Sequence, residues 1–385
     1  MCDTPTMPPM RILLLTDFPP EQEFAPVSRL FHLAELLREQ GHAVSLFGSY
    51  SGHPHEVNGV SVTALPYCGR GKQQSIFPFR PGVRAAIRES DAVIVRGYWL
   101  AFFVLLYAWL LRKPRRLFDF HGSTWREVRD QPVYRVLSRC MEAISFRTAT
   151  DILAVSEGIA GELPQRLQKK ITVLENGVDA AGLLKEGDED ELGFQLTLDP
   201  EHLCIGVVAR FGHTLELETL KASLAHVTAP VEVVILGDGP RLDAVDFEGM
   251  PNVHLVGRRS HREVCQFLDR EVDVALVPYD GSCEQAKVPG FFSSRKLKEY
   301  LALGVPVVAP DIPGLEPWLR DAQAARLYEA GNGQSLAAVW DALATDFEAL
   351  QFMGETSRAL SVDYTWNAVA ERSGFLQLFG GGGRS

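Results

Sequence analysis

Short apolar runs alternate along the chain with segments whose apolar residues recur every three or four positions. The run Arg11–Thr16 predicts a buried strand, and apolar residues at helical spacing predict a helix over Leu30–Gln40, which Gly41 ends. Strands are also predicted at Ala43–Phe47, Asp91–Val95, Leu117–Phe120, Cys204–Arg210, Val231–Leu236, Val253–Val256, Val272–Val277 and Val305–Ala309. This alternation is typical of a doubly wound α/β fold with parallel sheets.

The stretch Ser293–Pro310 contains one complete helix–strand step. Its first half predicts a short helix, which Ser293 or Ser294 caps and Gly304 ends. The apolar run that follows lies between prolines and predicts a buried strand. The stretch therefore predicts one αβ unit of a doubly wound sheet.

Lys296 and Glu299 are three positions apart, so both lie on one face of this predicted helix, near its N-terminus. Such a pair suits a ligand with phosphate at one end and hydroxyl groups at the other. The helix amides and Lys296 attract the anion, and Glu299 accepts from a ribose or sugar hydroxyl. An intrahelical ion pair on a surface helix is the alternative, and the spacing leaves both interpretations open.

Composition limits the class of protein. A length of 385 residues favours two domains over one. The net charge of −11 does not favour nucleic acid as a partner. The six cysteines form no CxxC pair and no cluster with histidine, which predicts a reducing compartment and no metal site. The first ten residues lack a basic and an apolar region, so no signal peptide is expected.

The segment Tyr98–Leu111 has no charged residue and is followed by the basic cluster Arg112–Arg116. Its 14 residues are fewer than the roughly 20 that a membrane-spanning helix needs. Two interpretations remain. The segment is a buried core helix, or it lies at a membrane surface with the basic cluster facing anionic lipid.

His121 directly follows the predicted strand Leu117–Phe120, at the sheet edge where open α/β folds bind their ligands. An imidazole there can act as a donor, an acceptor or a general base. Asp119 lies two residues earlier on the same side of the strand, where it can orient His121. A purely structural histidine is the alternative.

The stretch Ser293–Pro310 resembles the donor-site segment of retaining glycosyltransferases with the GT-B fold, in glycosyltransferase family 4 and its relatives (glycosyl transferases group 1). Many members have a segment of the type S-P-x-K-x-x-E-Y-x-A-x-G-x-P-V-V-A. The matching residues are, in order, Ser293, Lys296, Glu299, Tyr300, Ala302, Gly304, Pro306, Val307, Val308 and Ala309. Other segments that are similar to the family are Val155-Ser156, the turn Asn176–Asp179, Glu316 and Tyr364–Trp366.

This resemblance implies a GT-B architecture, with two Rossmann-like doubly wound domains facing across a cleft and a C-terminal helix that crosses back to the first domain. We expect a disordered leader at 1–9 and a disordered tail at 379–385. Between them we expect an acceptor-binding domain at 10–180, a linker at 181–200, a nucleotide-sugar-binding domain at 201–360 and the returning helix at 361–378.

The resemblance also implies an activity. A hexosyltransferase-type enzyme would move a sugar from a UDP- or GDP-linked donor to a glycan or lipid-linked acceptor, with retention of the anomeric configuration. Such enzymes take part in polysaccharide, glycolipid or glycoprotein glycan synthesis. The nucleotide sugar would be a co-substrate, and no cofactor or metal is expected. The implied location is the cytoplasm, with the cytoplasmic face of the membrane as an alternative.

The predicted site residues fall in both domains. Predicted donor-binding residues are Arg210, Gly237, Gly239, Ser293, Ser294, Lys296, Leu297 and Glu299, and predicted acceptor-binding residues are Pro20, Glu21, His121 and Trp125. Arg210 ends a predicted strand, and its planar guanidinium matches phosphate oxygens, although a surface salt bridge is the alternative. His121, Arg210 and Lys296 are the predicted catalytic residues, because preorganised cations stabilise the departing diphosphate.

Three positions depart from the family pattern. Leu215 stands where a lysine usually follows the arginine, Phe291 stands where many members have a second glutamate, and Pro19–Pro26 lacks the usual pair of glycines. These departures keep two alternatives open: a degenerate protein that binds a nucleotide sugar or a partner transferase, and an epimerase or phosphorylase on the same fold. A nicotinamide or flavin oxidoreductase is not supported, because the first turn lacks GxGxxG.

Overall fold

The computed structural model describes residues 8–16, 25–49, 55–57, 59–65, 81–123, 132–184, 193–321 and 323–380. The chain forms two compact units, Met1–Glu175 with Val369–Ser385, and Asn176–Ala368. Most of the expected leader and tail, and residues 185–192 of the expected linker, lie outside the described residues.

The first unit is built on an eight-stranded sheet with the strand order β3-β4-β2-β1-β5-β6-β7-β8. Its strands are β1 (Arg11–Thr16), β2 (Ala43–Ser49), β3 (His55–Val57), β4 (Val60–Leu65), β5 (Ala92–Arg96), β6 (Arg115–Phe120), β7 (Asp151–Ala154) and β8 (Ile171–Val173). All neighbours are parallel except β3, which pairs antiparallel with β4. The helices are α1 (Ala25–Glu39), α2 (Pro81–Glu89), α3 (Tyr98–Leu110), α4 (Pro132–Thr148) and α5 (Glu157–Gly161), with a 3₁₀ helix at Gln165–Lys170.

The second unit has a six-stranded parallel sheet with the order β11-β10-β9-β12-β13-β14. Its strands are β9 (Leu203–Arg210), β10 (Val231–Asp238), β11 (Val253–Gly257), β12 (Val274–Leu276), β13 (Val307–Pro310) and β14 (Ala325–Tyr328). The helices of the C-terminal half are α6 (Ala180–Leu183), α7 (Glu218–Leu224), α8 (Pro240–Asp243), α9 (His261–Arg270), α10 (Arg295–Leu303), α11 (Pro317–Asp321), α12 (Gly333–Ala344), α13 (Phe347–Ser361) and α14 (Trp366–Ser373).

The predicted doubly wound fold is confirmed in both units. Strands β3, β4, β7, β8 and β14 were not predicted. Strands β3, β7 and β8 have only three or four residues, polar residues interrupt the apolar residues of β4, and β14 includes Arg326. Helix α1 begins at Ala25, five residues before the predicted start at Leu30, since its first turn carries no apolar stripe. The predicted fourth strand of the second unit, Val272–Val277, shortens to β12.

Helix α3 is a core helix of the first unit. It buries Leu100, Ala101, Val104, Leu105 and Ala108, and it packs against β5, β6 and α4. The apolar character of this segment is therefore explained by contacts within the unit. Trp109 and Leu110, at its last turn, are exposed.

A buried ion pair joins helix α1 to strand β6. The Arg29 side chain is 1% exposed and donates through Nε to the Asp119 carboxylate, at 3.1 and 3.3 Å. Its other two nitrogens donate to the carbonyls of Leu174 and Glu175, at 2.8 and 2.9 Å. Arg29 thus fixes α1, β6 and the segment after β8 relative to one another.

Replacing Arg29 with Met is expected to lower the free energy of unfolding by about 3–5 kcal/mol, because Asp119 would remain buried without this cation. Urea denaturation measures the loss. Arg11→Met is the matched control, since the Arg11–Asp91 pair is exposed and is worth at most about 1 kcal/mol. Equal costs for the two variants would contradict the assignment of Asp119 as a charge that depends on Arg29.

Candidate active site

The carboxyl ends of β9 and β12 form the topological switch point of the second sheet, where open α/β folds bind ligands. Strand β9 pairs with β10 on one side and with β12 on the other. Arg210 is the last residue of β9 and is exposed. None of the described residues forms an ion pair with its guanidinium, which is therefore available to an anionic ligand.

The two glycines after β10 are required by the backbone beside Arg210. Gly237 has φ +136°, and a Cβ there would lie 1.7 Å from the Ala209 carbonyl oxygen. Gly239 has φ +138°, and its Cβ would lie 2.6 Å from the Phe211 carbonyl oxygen. The ends of β9 and β10 approach this closely only because neither glycine carries a side chain.

The N-terminus of α10 is held by hydrogen bonds from other segments. Ser294 occupies the predicted N-cap position but makes no side-chain capping bond, and its backbone N–H instead donates to Glu316 Oε1 at 2.6 Å. Ser293 Oγ accepts from the Asn176 N–H at 3.2 Å, and Asn176 Nδ2 donates to the Ser293 carbonyl at 2.8 Å. Both serines therefore already have structural partners in the second unit.

A buried ion pair lies next to the N-terminus of α10. Lys298 and Glu316 have side chains that are 0% and 1% exposed, and their Nζ and Oε1 atoms are 3.4 Å apart. The Lys298 ammonium also lies over the rings of Trp318 and Tyr364. Gly304 ends the helix as predicted, in the left-handed conformation with φ 72°.

Lys296 reaches from α10 to the end of β9. Its Nζ donates to the Val208 carbonyl at 2.8 Å, two residues before Arg210. Burial lowers the pKa of Lys296 to about 8, and the nearby charge of Glu299 opposes that shift. An ammonium has three protons, so Lys296 can keep this bond and still donate to a ligand.

Glu299 is buried, and one of its two oxygens carries both of its hydrogen bonds. Oε1 accepts from Arg295 Nε at 2.7 Å and from His261 Nε2 at 3.0 Å. Oε2 accepts from no described residue. Burial acts to raise the pKa of Glu299, but the hydrogen bond from His261 and the charge of Arg295 lower it overall. Glu299 is therefore an ionised acceptor with one oxygen open.

The intrahelical ion pair of α10 is formed by Arg295, four residues before Glu299, and not by Lys296. Because Glu299 is buried, the alternative of a pair on a surface helix does not describe α10. The spacing of Arg295 and Glu299 was visible in the sequence. His261 was missed, since it lies 38 positions from Glu299. Its only local signal is its place just after Gly257, where a strand end passes into α9.

His261 begins α9, and Ser260 and Glu263 form a capping box around it. Hydrogen bonds to Cys265 and to Glu299 outweigh burial and raise the pKa of His261 to about 10. At neutral pH this imidazole is charged. Glu299 is thus held between two cations.

Two predicted or family-related positions face the interior, and a third packs against an aromatic ring. The Leu297 side chain is 0% exposed in the core, so only its backbone can reach a donor. Leu215, where the family pattern has a lysine, is also buried and pairs through its backbone with Tyr279. Phe291 packs edge-on against Phe292, which stacks on Tyr279 with 4.1 Å between ring centroids.

In the first unit, Asp119 orients His121 as its place on the strand suggested. His121 Nε2 lies 3.0 Å from Asp119 Oδ2, and Arg96 Nη2 lies 3.3 Å from His121 Nδ1. Burial and the charge of Arg96 lower the pKa of His121 to about 4. Although burial opposes ionisation of Asp119, Arg29 and His121 hold the pKa of that carboxyl well below its usual range.

These contacts assign the protonation state of His121. A neutral imidazole donates from Nε2 to Asp119 and accepts at Nδ1 from Arg96. Both ring nitrogens then have protein partners. The predicted acceptor residues Pro20, Glu21 and Trp125 lie outside the described residues.

Two absences hold for the described part of the chain. No three His, Cys, Asp or Glu side chains in it lie together as a metal-binding group. No helix in it is both long enough and apolar enough to cross a membrane.

Imidazole titration by NMR should distinguish the two histidines. We expect His121 to gain its proton near pH 4 and His261 to lose it near pH 10. The stability that neutral His121 contributes is present above about pH 6.5 and is lost as the pH falls towards 4. The contribution of charged His261 is present below about pH 6.5 and is lost as the pH rises towards 10.

The matched variant for this titration is Glu299→Gln. It should lower the pKa of His261, which loses its carboxylate partner, and leave that of His121 unchanged, because the two residues belong to different units. An unchanged His261 titration in Glu299→Gln would contradict the geometry described for α9 and α10.

Two family models match successive parts of the chain. Residues 27–181 match glycosyltransferase family 4, and residues 200–346 match glycosyl transferases group 1. Comparison with curated proteins gives no significant match.

Solved structures share the fold over nearly the whole chain. A sucrose-phosphate synthase from Thermosynechococcus elongatus is similar at a TM-score of 0.71 and 18% identity, covering 97% of this chain and 100% of the other. Anabaena HepE in complex with UDP and glucose is similar at 0.68 and 15%, covering 95% and 99%. The catalytic domain of starch synthase IV from Arabidopsis thaliana, bound to ADP and acarbose, is similar at 0.67 and 12%, covering 96% and 99%.

The fold of the chain is thus GT-B, as these structures and the two doubly wound units agree. Since the family 4 match in the first unit is followed by the group 1 match in the second, the chain belongs to the family 4-like, group 1 glycosyltransferases.

Proposed function

We propose that this glycosyltransferase moves a hexosyl group from a UDP- or GDP-linked donor, with retention, to a glycan or lipid-linked acceptor in the cytoplasm. The donor binds the second unit at the carboxyl edge of its sheet. The nucleotide sugar is a co-substrate, and the reaction needs no metal or other cofactor. The first unit binds the acceptor.

The observation that carries the proposal is the open oxygen of Glu299. Its Oε1 is held by Arg295 and His261, which leaves Oε2 to accept from a ribose hydroxyl. A carboxylate held in this way needs little reorganisation when the nucleotide binds. The structures of Anabaena HepE with UDP and with UDP-glucose support a nucleotide sugar as the ligand, because HepE shares the fold.

Arg210 and Lys296 are proposed to bind the diphosphate. Arg210 is exposed at the end of β9, and the Lys296 ammonium bonds to the carbonyl two residues before it, so both cations lie at one strand end. Negative charge grows on the diphosphate as the sugar departs, and fixed cations stabilise that charge. Because Leu215 supplies no further cation, Arg210 and Lys296 stabilise a larger share of the charge on the departing diphosphate.

His121, together with Pro20, Glu21 and Trp125, is proposed to bind the acceptor. The contacts of His121 favour a positioning role over that of a general base. Its Nδ1 lone pair faces Arg96 and its Nε2–H faces Asp119, so the neutral ring keeps Arg96 at the sheet edge beside the ligand.

Donor binding is measured by thermal shift with UDP, GDP, ADP and dTDP sugars. We expect one nucleotide series to raise the melting temperature. For that nucleotide, replacing one ribose hydroxyl by hydrogen should weaken binding by about tenfold or more, because a hydrogen bond to a carboxylate is lost. Glu299→Gln should bind more weakly and lose most of this discrimination.

The control for the donor experiment is Glu271→Gln, which removes an exposed carboxylate of the same unit. It should behave as the wild type does. No shift with any nucleotide, or full discrimination by Glu299→Gln, would contradict the donor site.

The rate of turnover tests whether Arg210 and Lys296 stabilise the departing diphosphate. Arg210→Ala and Lys296→Ala should each lower the rate by about 10²–10³-fold, as the loss of one stabilising group does elsewhere. The kcat/KM of the wild type should fall as the pH rises through about 8, where free Lys296 loses its proton. Lys296→Arg should remove that fall, since arginine stays charged.

Lys287→Ala is the control for turnover, because Lys287 is an exposed lysine in the segment before α10. Release of the nucleoside diphosphate from the donor that binds best is the quantity to measure. If Arg210→Ala and Lys296→Ala turn over as fast as Lys287→Ala, the diphosphate role is wrong.

A further inference from the structure

Helix α4 exposes four branched apolar side chains along one face. Val133, Val136, Leu137 and Ile144 recur at helical spacing on one face and are 76%, 65%, 44% and 38% exposed. The side of α4 that packs into the unit buries Met141 and Phe146 together with Ser138, Ser145 and Thr148. Helix α4 therefore carries apolar residues on its exposed face as well as on its buried face, whereas the usual amphipathic surface helix carries them on the buried face.

The buried hydroxyls need no partner from outside α4. Ser138 Oγ donates to the Tyr134 carbonyl at 2.7 Å, and Ser145 Oγ donates to the Met141 carbonyl at 2.9 Å. Helix α4 packs against α3, and its Phe146 ring packs against the rings of Phe118 and Phe120 in β6. The outward apolar stripe is therefore not explained by packing within the unit.

A groove of about 680 Å³ runs beside this stripe, between α4 and the segment that follows α5. Ile144 belongs to both the stripe and the groove. Phe146, Leu163 and Leu167 line its apolar part. Stripe and groove together form one surface, which we call the α4 surface.

Positive charge borders the α4 surface. Arg139, Arg147, Arg166 and Lys170 line the groove, against the two carboxylates of Glu142 and Glu162. Arg147 and Arg166 are exposed, and neither forms an ion pair with a described residue. Glu142 is buried and accepts from Ser123 Oγ at 2.8 Å, so it does not face solvent. The local charge is thus positive on a chain whose net charge is −11.

We propose that the α4 surface docks on an anionic lipid bilayer. Exposed branched apolar residues beside arginines match the boundary between acyl chains and anionic headgroups. With 17 residues, α4 is about 25 Å long and can lie in the plane of that boundary without crossing the membrane.

Charge also argues against a second copy of this chain as the occupant. A two-fold contact presents the same patch from both partners. Arg147 and Arg166 of one copy would then meet the same cations of the other, which is unfavourable. An anionic surface satisfies both arginines and covers the apolar stripe.

Co-sedimentation of the full chain with vesicles tests this surface and does not depend on the proposed sugar transfer. We expect binding to vesicles of equal parts phosphatidylglycerol and phosphatidylcholine, not to phosphatidylcholine alone, and weaker binding at higher salt. Arg147→Gln/Arg166→Gln should weaken partitioning by about fivefold per arginine, or about 25-fold together. Val136→Gln/Leu137→Gln should weaken it by at least about tenfold.

Matched controls remove similar groups from the other unit. Phe347→Gln/Val362→Gln removes two exposed apolar side chains, and Arg270→Gln/Lys287→Gln removes two exposed cations. Both should bind mixed vesicles as the wild type does. Melting temperatures within a few degrees of wild type show that the variants of α4, which change exposed residues alone, are folded.

Three results would overturn the proposal. The first is no binding to mixed vesicles, or equal binding to both vesicle types. The second is wild-type binding by the α4 variants. The third is light scattering that shows a dimer in the wild type and a monomer in Val136→Gln/Leu137→Gln, because a second copy would then cover the stripe.

Discussion

The carboxyl edge of the first unit depends on one buried negative charge, that of Asp119. A lone carboxylate with no exposed surface would be protonated or would destabilise the fold. Arg29 prevents both by pairing with it from α1, while also donating to the two carbonyls that follow β8. The same charge then orients His121. The interaction that holds α1 against β6 thus also orients the polar groups at the carboxyl edge of this sheet.

The second unit uses a similar arrangement with the opposite result for its histidine. Glu299, like Asp119, is a buried carboxylate between an arginine and a histidine. Burial and the charge of Arg96 lower the pKa of His121 and keep it neutral, whereas hydrogen bonds to Cys265 and Glu299 outweigh burial, raise the pKa of His261 and keep it charged. The imidazole is therefore neutral in one unit and charged in the other, although each lies beside a buried carboxylate.

The local pattern of the sequence was enough to predict the fold and α10, because the central strands of both sheets are short apolar runs and Gly304 ends the helix where it was expected. The same pattern placed Arg210, Lys296 and Glu299 at one sheet edge, since strand ends of a parallel sheet meet there. It did not pair Glu299 with His261, because that contact joins two helices far apart in sequence. The pattern also did not show that the close approach of β9 and β10 requires Gly237 and Gly239. Nor did it show that the Ser294 amide donates to Glu316. Both features depend on how neighbouring segments pack.

The two helices considered for contact with lipid show why hydrophobicity alone identifies the wrong surface. Helix α3 is the more apolar of the two, yet it exposes only Trp109 and Leu110, in its last turn, because it packs against β5, β6 and α4. Helix α4 looks less hydrophobic in the sequence because serines and arginines interrupt it. Its serines, however, face inward together with Met141 and Phe146 and donate to carbonyls of α4 itself, while Val133, Val136 and Leu137 are exposed on the other face. A membrane contacts the side chains that packing leaves exposed. In this unit α4, not α3, exposes apolar residues along its length.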